Sequence, residues 1–207
     1  SSAVSGRFVY HQAGVSGSST DPSLTFNVGP GQTVAYADIV AAIGPTGLGS
    51  IDVVMPTSSQ VPIIITRVFN DAGTSGTSGF TEDAINPDGG GSDSPLLFAG
   101  STGFMVAPAD LTNFRFNIGV RTFLSGAFIT FRVHDSTGAL IHTVTKNYNP
   151  TYFEQQSSDS FLGITLVAND SIEVSVSSGS AVVYGAMADN TTNDPSIQFV
   201  KVAFAIL

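Results

Sequence analysis

Residues 171–178, "SIEVSVSS", alternate with a period of two. Ile172, Val174 and Val176 fall on one side, and Ser171, Glu173 and Ser175 on the other. Successive side chains of an extended chain point to opposite faces, so this pattern fits a strand with one buried face and does not fit a helix. The same period returns in "FITFRVHD" (128–135), where Ile129, Phe131 and Val133 oppose Thr130, Arg132 and His134. "DSTG" (135–138) then supplies turn residues and "ALIHTVT" runs back, which predicts a β-hairpin. "VPIIITRVF" (61–69) and "AVVYGAMA" (181–188) are apolar on both faces and read as central strands covered on both sides. Helical signals are short. In "YADIVAAIG", Asp38 is placed to cap one turn carrying Ile39, Val40 and Ile43, which Gly44-Pro45 then stops. "SSDSFLG" (157–163) reads as a similar single turn.

A second constraint is internal similarity. "SIDVVMPTSSQVPIIITRVFNDAGTSGTSGF" (50–80) lines up with "SIEVSVSSGSAVVYGAMADNTTNDPSIQF" (171–199). Each runs through Ser-Ile-acid-Val, a polar turn and an apolar strand. Each then has an Asp/Asn pair (Asn70-Asp71, Asp189-Asn190), a polar loop and a Phe. Upstream, "GPGQTVAYADIVAAIG" stands where "NPTYFEQQSSDSFLG" stands in the other copy. The expected fold class is all-β: one or more β-sandwiches built from two related Greek-key-like halves, with minor short helical turns. The halves are residues 1–81 and 101–207, joined by a Gly/Asp/Ser-rich connector over 82–100, and they either stand apart or pack as one domain.

The terminal stretch "SIQFVKVAFAIL" is apolar on both faces. Val200, Val202, Phe204 and Ile206 share one face, Phe199, Ala203, Ala205 and Leu207 the other, and Lys201 alone interrupts. An exposed strand of this kind is a pairing template, so it is expected to lie in its own sheet or to complete a neighbour's. Val200, Val202, Phe204 and Ile206 are the candidate assembly strand.

Composition narrows the function. Charged residues are 11% of 207, against roughly 25% in ordinary soluble domains. Ser, Thr, Gly and Asn take the polar positions, a surface suited to extracellular β proteins and repetitive assemblies, with little repulsion between copies. Net charge is −9 with seven cations and no basic run, which argues against nucleic acid and against anionic membrane surfaces. No apolar run approaches the roughly 20 residues of a membrane-spanning helix. Absence of cysteine excludes disulfides, thiol nucleophiles and thiolate metal sites. No signal peptide is visible, and Ser1 stands either at a mature terminus left by cleavage or at an arbitrary boundary. Asn169-Asp-Ser and Asn190-Thr-Thr match the N-glycosylation pattern, which matters only in a glycosylating cell.

Several stretches together resemble a tandem β module found in large secreted bacterial proteins, often C-terminal to proteases and other exported domains. They are "GPGQTVAYADIVAAIG", "GSIDVV", "ITRVFNDAGTSGTSGF", "FRFNIGVR", "FRVHDSTGALIHTVT" and "YGAMADNTTNDPSIQF". The resemblance covers most of residues 24–199 and rests chiefly on Arg115–Gly119 and Tyr184–Pro195. It implies an extracellular β-sandwich with a structural, sorting or surface-attachment role and brings no catalytic residues. The chain departs from the module in a short first hairpin near "GRFVYHQAG", in its apolar terminal strand and in having no enzyme domain beside it. Those departures favour a self-sufficient subunit.

Candidate sites are few. "NPDGGGSD" (86–93) with Glu82 and Asp83 upstream gathers four acids, Glu82, Asp83, Asp88 and Asp93, that would converge on calcium. The spacing matches neither an EF-hand nor a repeated Gly-Gly-x-Gly-x-Asp loop, so a flexible connector is the preferred reading and no cofactor is expected. His11, His134 and His142 lack the Gly-x-Ser-x-Gly elbow of a hydrolase and the spacing of a zinc site. His142, between Leu140 and Val144, reads as a satisfied half-buried residue. Arg67, Arg115, Arg121 and Arg132 fall in strands and are each placed to pair with a carboxylate, and the preferred reading is a fork at Arg67 or Arg115 that holds a turn. Tyr148 and Tyr152 are the only clustered tyrosines and offer a platform for a glycan or simply cover the core.

These readings lead to a non-enzymatic structural subunit, extracellular or at the cell surface, that forms a homo-oligomer or polymer. In it an end strand, "VKVAFAIL" or "GRFVYHQ", is added to a neighbour's sheet. A glycan- or surface-binding adhesion module is the main alternative. A capsid-like shell follows it, weakened by the missing basic arm.

Overall fold

The computed structural model describes residues 2–56, 61–88 and 94–202. Strands β1 (Val4–Gln12), β2 (Ser23–Val28) and β3 (Gly49–Val54) form an antiparallel sheet in the order β2-β1-β3. Helix α1 (Ile39–Ile43) lies between β2 and β3; its cap is Asp38, whose side chain accepts from the Ala41 N–H, and Gly44 ends it in the left-handed region. Among the described residues, strands β4 (Ile65–Asp71) and β5 (Thr77–Asp83) pair only with each other, across a 3-10 turn at Gly73–Ser75.

The remaining strands form one eight-stranded antiparallel sheet: β6 (Leu96–Phe98), β7 (Thr102–Val106), β8 (Phe114–His134), β9 (Leu140–Tyr148), β10 (Phe153–Ser157), β11 (Ser171–Asp189), β12 (Pro195–Phe199) and β13 (Lys201–Val202). Helix α2 (Ser158–Leu162) follows β10, capped by the Ser157 hydroxyl. The fold is therefore all-β with two short helices. The hairpin expected around residues 135–138 is β8–β9, and Asp135 Oδ1 holds its turn by accepting from the N–H groups of Thr137 and Ala139.

β8 and β11 pair along most of their length but are not straight. Val176 pairs with Ile129 and Ser178 with Phe128; further on, Gly179 pairs with Ala127 and Ala181 with Thr122. Residues 123–126 of β8 are therefore extra and form a bulged corner. The corner reverses which face is buried. Before it Phe116, Ile118 and Val120 are buried, and after it Ile129, Phe131 and Val133. On β11 Ile172, Val174 and Val176 give way in the same manner to Ala181 and Val183. Even positions become odd ones, so the extra residues keep both segments facing one interior, where a straight strand would turn one set to solvent. Gly126 and Gly179 meet at the corner with φ of 63° and 75°, and a Cβ on Gly179 would lie 2.0 Å from the Gly126 carbonyl oxygen. Only glycine fits there.

A single sandwich-like core results. It joins both segments of β8 and β11 with Leu97, Met105, Tyr148 and, from α2, Phe161 and Leu162. Phe131 and Phe161 meet edge to face with centroids 5.0 Å apart, a favoured aromatic geometry. "AVVYGAMA" is the expected central strand, with Ala181, Val182 and Val183 buried. Val200 is buried against the same core, its N–H donates to Val183 O at 3.0 Å, and Lys201–Val202 pair with β7. Through Val202 the apolar terminal stretch lies in its own sheet; Phe204 and Ile206 lie outside the described residues.

One expected central strand is not central. "VPIIITRVF" includes β4, and Ile63 and Ile65 are 93% and 68% exposed, with Val68 and Phe69 also exposed. The cause is visible beside its counterpart. In the second copy the chain passes from Val176 to Ala181 through Gly179 without a proline, so one continuous strand crosses the corner. In the first copy Pro56 and Pro62 stand between β3 and β4. Proline cannot donate to a ladder, and the chain leaves its sheet there. Among the described residues β4 then takes β5 as its one strand partner, with β12 packed beside the pair.

Candidate functional site

Three places gather side chains of functional interest. The first is a cavity of about 420 Å³ lined by Lys146, Asn147, Tyr148, Asn149, Tyr152 and Glu154, where β9 turns into β10. It brings together both tyrosines singled out from the sequence, with ring centroids 5.7 Å apart. Glu154 is buried, and its Oε1 accepts from Tyr148 Oη at 2.7 Å and Lys146 Nζ at 3.2 Å. Its Oε2 accepts from Gln156 Nε2 at 2.9 Å. The Lys146 ammonium also lies 3.7 Å from the centre of the Phe161 ring. Burial, then the hydrogen bond and charge of Glu154, push the Tyr148 phenol far above its ordinary range, so it stays a proton donor. Burial and the Glu154 charge also raise Tyr152.

The turn bearing this cavity is tightly fixed. The Thr122 side chain, fully buried, donates to Asn149 O at 2.7 Å and accepts from Tyr152 N–H at 2.9 Å. Thr151 N–H donates to Phe123 O, and Gly17 N–H from the N-terminal region donates to Thr151 O. These bonds hold Thr151 at φ 54°, a left-handed conformation that a β-branched residue rarely adopts.

The second place is a polar clasp between the N-terminal sheet and the eight-stranded body. His11 on β1 is buried, and its Nδ1 lies 2.7 Å from Asp21 Oδ2 and its Nε2 3.1 Å from Asp52 Oδ2. Asp52 on β3 in turn receives Arg121 Nη2 of β8 at 2.8 Å on both carboxylate oxygens. Arg121 also donates to the Thr122 carbonyl. Both His11 nitrogens face carboxylates, and both donate only when the ring is doubly protonated. Burial pushes Asp21 up, but hydrogen bonds from His11 and the Ser18 N–H outweigh it and leave the carboxyl below its ordinary value. The chain of contacts Asp21–His11–Asp52–Arg121 gives each buried polar group a partner, which makes the burial of His11 and Arg121 tolerable. Sequence reading passed over it because its members are 10 to 110 residues apart and no spacing motif links them. The one signal was the pairing of scarce cations with carboxylates, expected of the strand arginines and seen at Arg121–Asp52 and Arg132–Glu173. Arg115 holds a turn, as expected of it or Arg67, bonding Asn193 Oδ1 of the 189–194 turn at 2.8 Å; Arg67 bonds Thr77 and lies over the Phe69 ring.

The third place is the β4–β5 ribbon with its exposed apolar residues. β5 also carries Glu82 and Asp83 of the proposed calcium set. Adjacent strand positions face opposite ways, and here Glu82 is half-buried and Asp83 exposed. Burial raises the Glu82 carboxyl. Asp88 sits in a turn in which its own N–H donates to Asn86 Oδ1, and Asp93 lies outside the described residues. No group of three acids or histidines suited to a metal occurs among the described residues.

The histidines keep separate partners. His142 is half-buried with Nε2 2.8 Å from Leu162 O, and His134 lies 3.5 Å from Glu173. Of the two sequons, Asn169 is exposed at φ 66°, and the Asn190 amide donates to Thr112 O. "GRFVYHQ" is β1, paired on one edge with β2 and on the other with β3, so it has no free edge to give a neighbour. Among the described residues no helix is long and apolar enough to cross a membrane. Comparison of the chain with known protein families, with curated proteins and with solved structures finds no match in any of the three.

Proposed function

We propose that the chain is a secreted, non-enzymatic structural subunit of the cell surface that assembles with copies of itself, as a fibre, by strand addition. The observation that carries this reading is β4. Its Ile65, Val68 and Phe69 are exposed, and among the described residues its only strand partner is β5. An apolar strand with one unpaired edge recruits another strand. Low charge leaves little repulsion to oppose contact between copies.

The incoming strand is the C-terminal stretch of a second copy. Val200 and Val202 root it in its own body, and the sequence continues with the apolar run Ala203–Leu207, which includes Phe204 and Ile206. Donor and acceptor are different surfaces of one chain, so the contact is head-to-tail and propagates unless rotation closes it into a ring. In this reading the two sequence-related, Greek-key-like halves have divided their work: one forms the sandwich core and the other the assembly surface.

Removing residues 203–207 tests the donor while leaving Val200 and Val202 in their sheet. Electron microscopy and sedimentation velocity should show filaments from the full chain and monomers from the shortened one. A shortened chain that still assembles normally rules out the C-terminal donor.

A further inference from the structure

We infer that the cavity at the β9–β10 turn is a binding site for a neutral saccharide. Its volume of about 420 Å³ falls within the roughly 300–1,000 Å³ of small-molecule sites. The chemistry of its lining selects the class. Asn147 and Asn149 are exposed, and their side-chain amides have no hydrogen-bond partner among the described residues. Each amide both donates and accepts, which is what a sugar hydroxyl also does. Lys146 spends one of its three N–H groups on Glu154, leaving donors for ring or hydroxyl oxygens. The half-buried Tyr152 supplies aromatic surface for the apolar face of a sugar ring.

The charges argue for a neutral ligand. Lys146 and Glu154 neutralise each other at 3.2 Å, so neither phosphate nor an amine finds an unpaired counter-charge. The site is also pre-formed. Thr122, Phe123 and Gly17 hold the turn through a set of backbone and side-chain hydrogen bonds and keep Thr151 at its unfavourable φ, so little ordering remains for the ligand to impose. None of its lining residues belongs to β4 or β5.

The test is a glycan array probed with the full chain, followed by calorimetric titration of the neutral oligosaccharide that binds best. Inorganic phosphate and a short lysine peptide serve as charged probes. The double variant Asn147→Ala/Asn149→Ala alters only exposed side chains, so it should fold as the parent does. Its affinity should fall by about tenfold or more, the scale of losing two hydrogen bonds. The chain lacking residues 203–207 should bind like the full chain, which separates this site from the assembly reading. The inference is overturned if no neutral saccharide binds, if a charged probe binds instead, or if the double variant binds unchanged.

Discussion

The two parts of the molecule, before and after Leu96, are held by different forces. From Leu96 to Val202 the chain makes one apolar core, with Ile118, Ile129, Phe131, Val133, Ile172 and Val174 fully buried. Among the described residues before Leu96, only Val9, Tyr10 and Phe26 are buried hydrophobics, and the N-terminal part meets the body through polar contacts: the Asp21–His11–Asp52–Arg121 clasp and backbone bonds from Gly14 N–H to Phe153 O and from Gly17 N–H to Thr151 O. The β4–β5 ribbon has a still looser hold, including a hydrogen bond from the Asn70 amide to Thr192 O. The difference teaches that alternation specifies a strand but not its cover. Whether a strand is buried depends on whether its neighbours continue into the same sheet. β8 and β11 do so across the Gly126–Gly179 corner, whereas β3 and β4 are divided at the prolines.

The comparison breaks first at Phe131. Phe131→Ala removes a fully buried ring and its edge-to-face contact with Phe161, and should cost about 3–5 kcal/mol, measured by chemical denaturation. A smaller cost would mean that the body is not the main source of stability. Arg121→Ala is the next largest. It leaves Asp52 with His11 Nε2 alone, and because Asp52 is also partly exposed the loss should be about 2–3 kcal/mol, below the 3–5 kcal/mol of a fully buried pair. The loss should be local: hydrogen exchange should quicken in β1 and β3 and stay unchanged in β8 and β11. Uniform quickening would show that the two parts unfold as one unit.

Acid sharpens the comparison. Backbone and side-chain hydrogen bonds hold three turn aspartates of the body below their ordinary values. Thr192 and Thr191 N–H groups act on Asp189, the Thr137 hydroxyl and the Ala139 N–H on Asp135, and Asn113 on Asp110. Carboxyls lowered on folding stabilise above their unfolded values, and that stabilisation is lost as pH falls through the folded ones, so these turns should loosen below about pH 4. Asp21 behaves likewise at the clasp. Glu82 on the ribbon has the opposite sign. Burial raises it, so its charged form opposes folding at neutral pH and the penalty fades as pH falls through the raised value. Glu82→Gln should therefore stabilise slightly at pH 7, by no more than about 0.5 kcal/mol for a group only half-buried, and have no effect in acid. Thermal unfolding at both pH values measures it, and destabilisation at neutral pH would contradict the assignment.

Local signals were well represented in the sequence. The alternation at 171–178 and 128–135, the Asp135 turn, the cap at Asp38 and the helical turn in 157–163 all depend on contacts a few residues apart, and all stand in the fold. The exposure of residues 61–69 was not legible, because an apolar run does not state how many layers cover it. The Tyr148–Tyr152 pair was visible as a cluster, but Glu154 and Lys146 join it only through the β9–β10 turn. The His11 clasp depends on three sequence-distant strands and a loop, and no local pattern announces it.

The central claim is that stability belongs to the body and assembly to the ribbon. The direct measurement is sedimentation velocity with thermal unfolding on Ile65→Thr/Phe69→Thr, which keeps strand propensity and removes exposed apolar surface. The claim requires polymers from the parent, monomers from the variant, and a melting temperature within about 2 °C of the parent's, as for surface changes in a chain of this size. A variant that polymerises like its parent, or that loses the body's melting transition along with assembly, contradicts it.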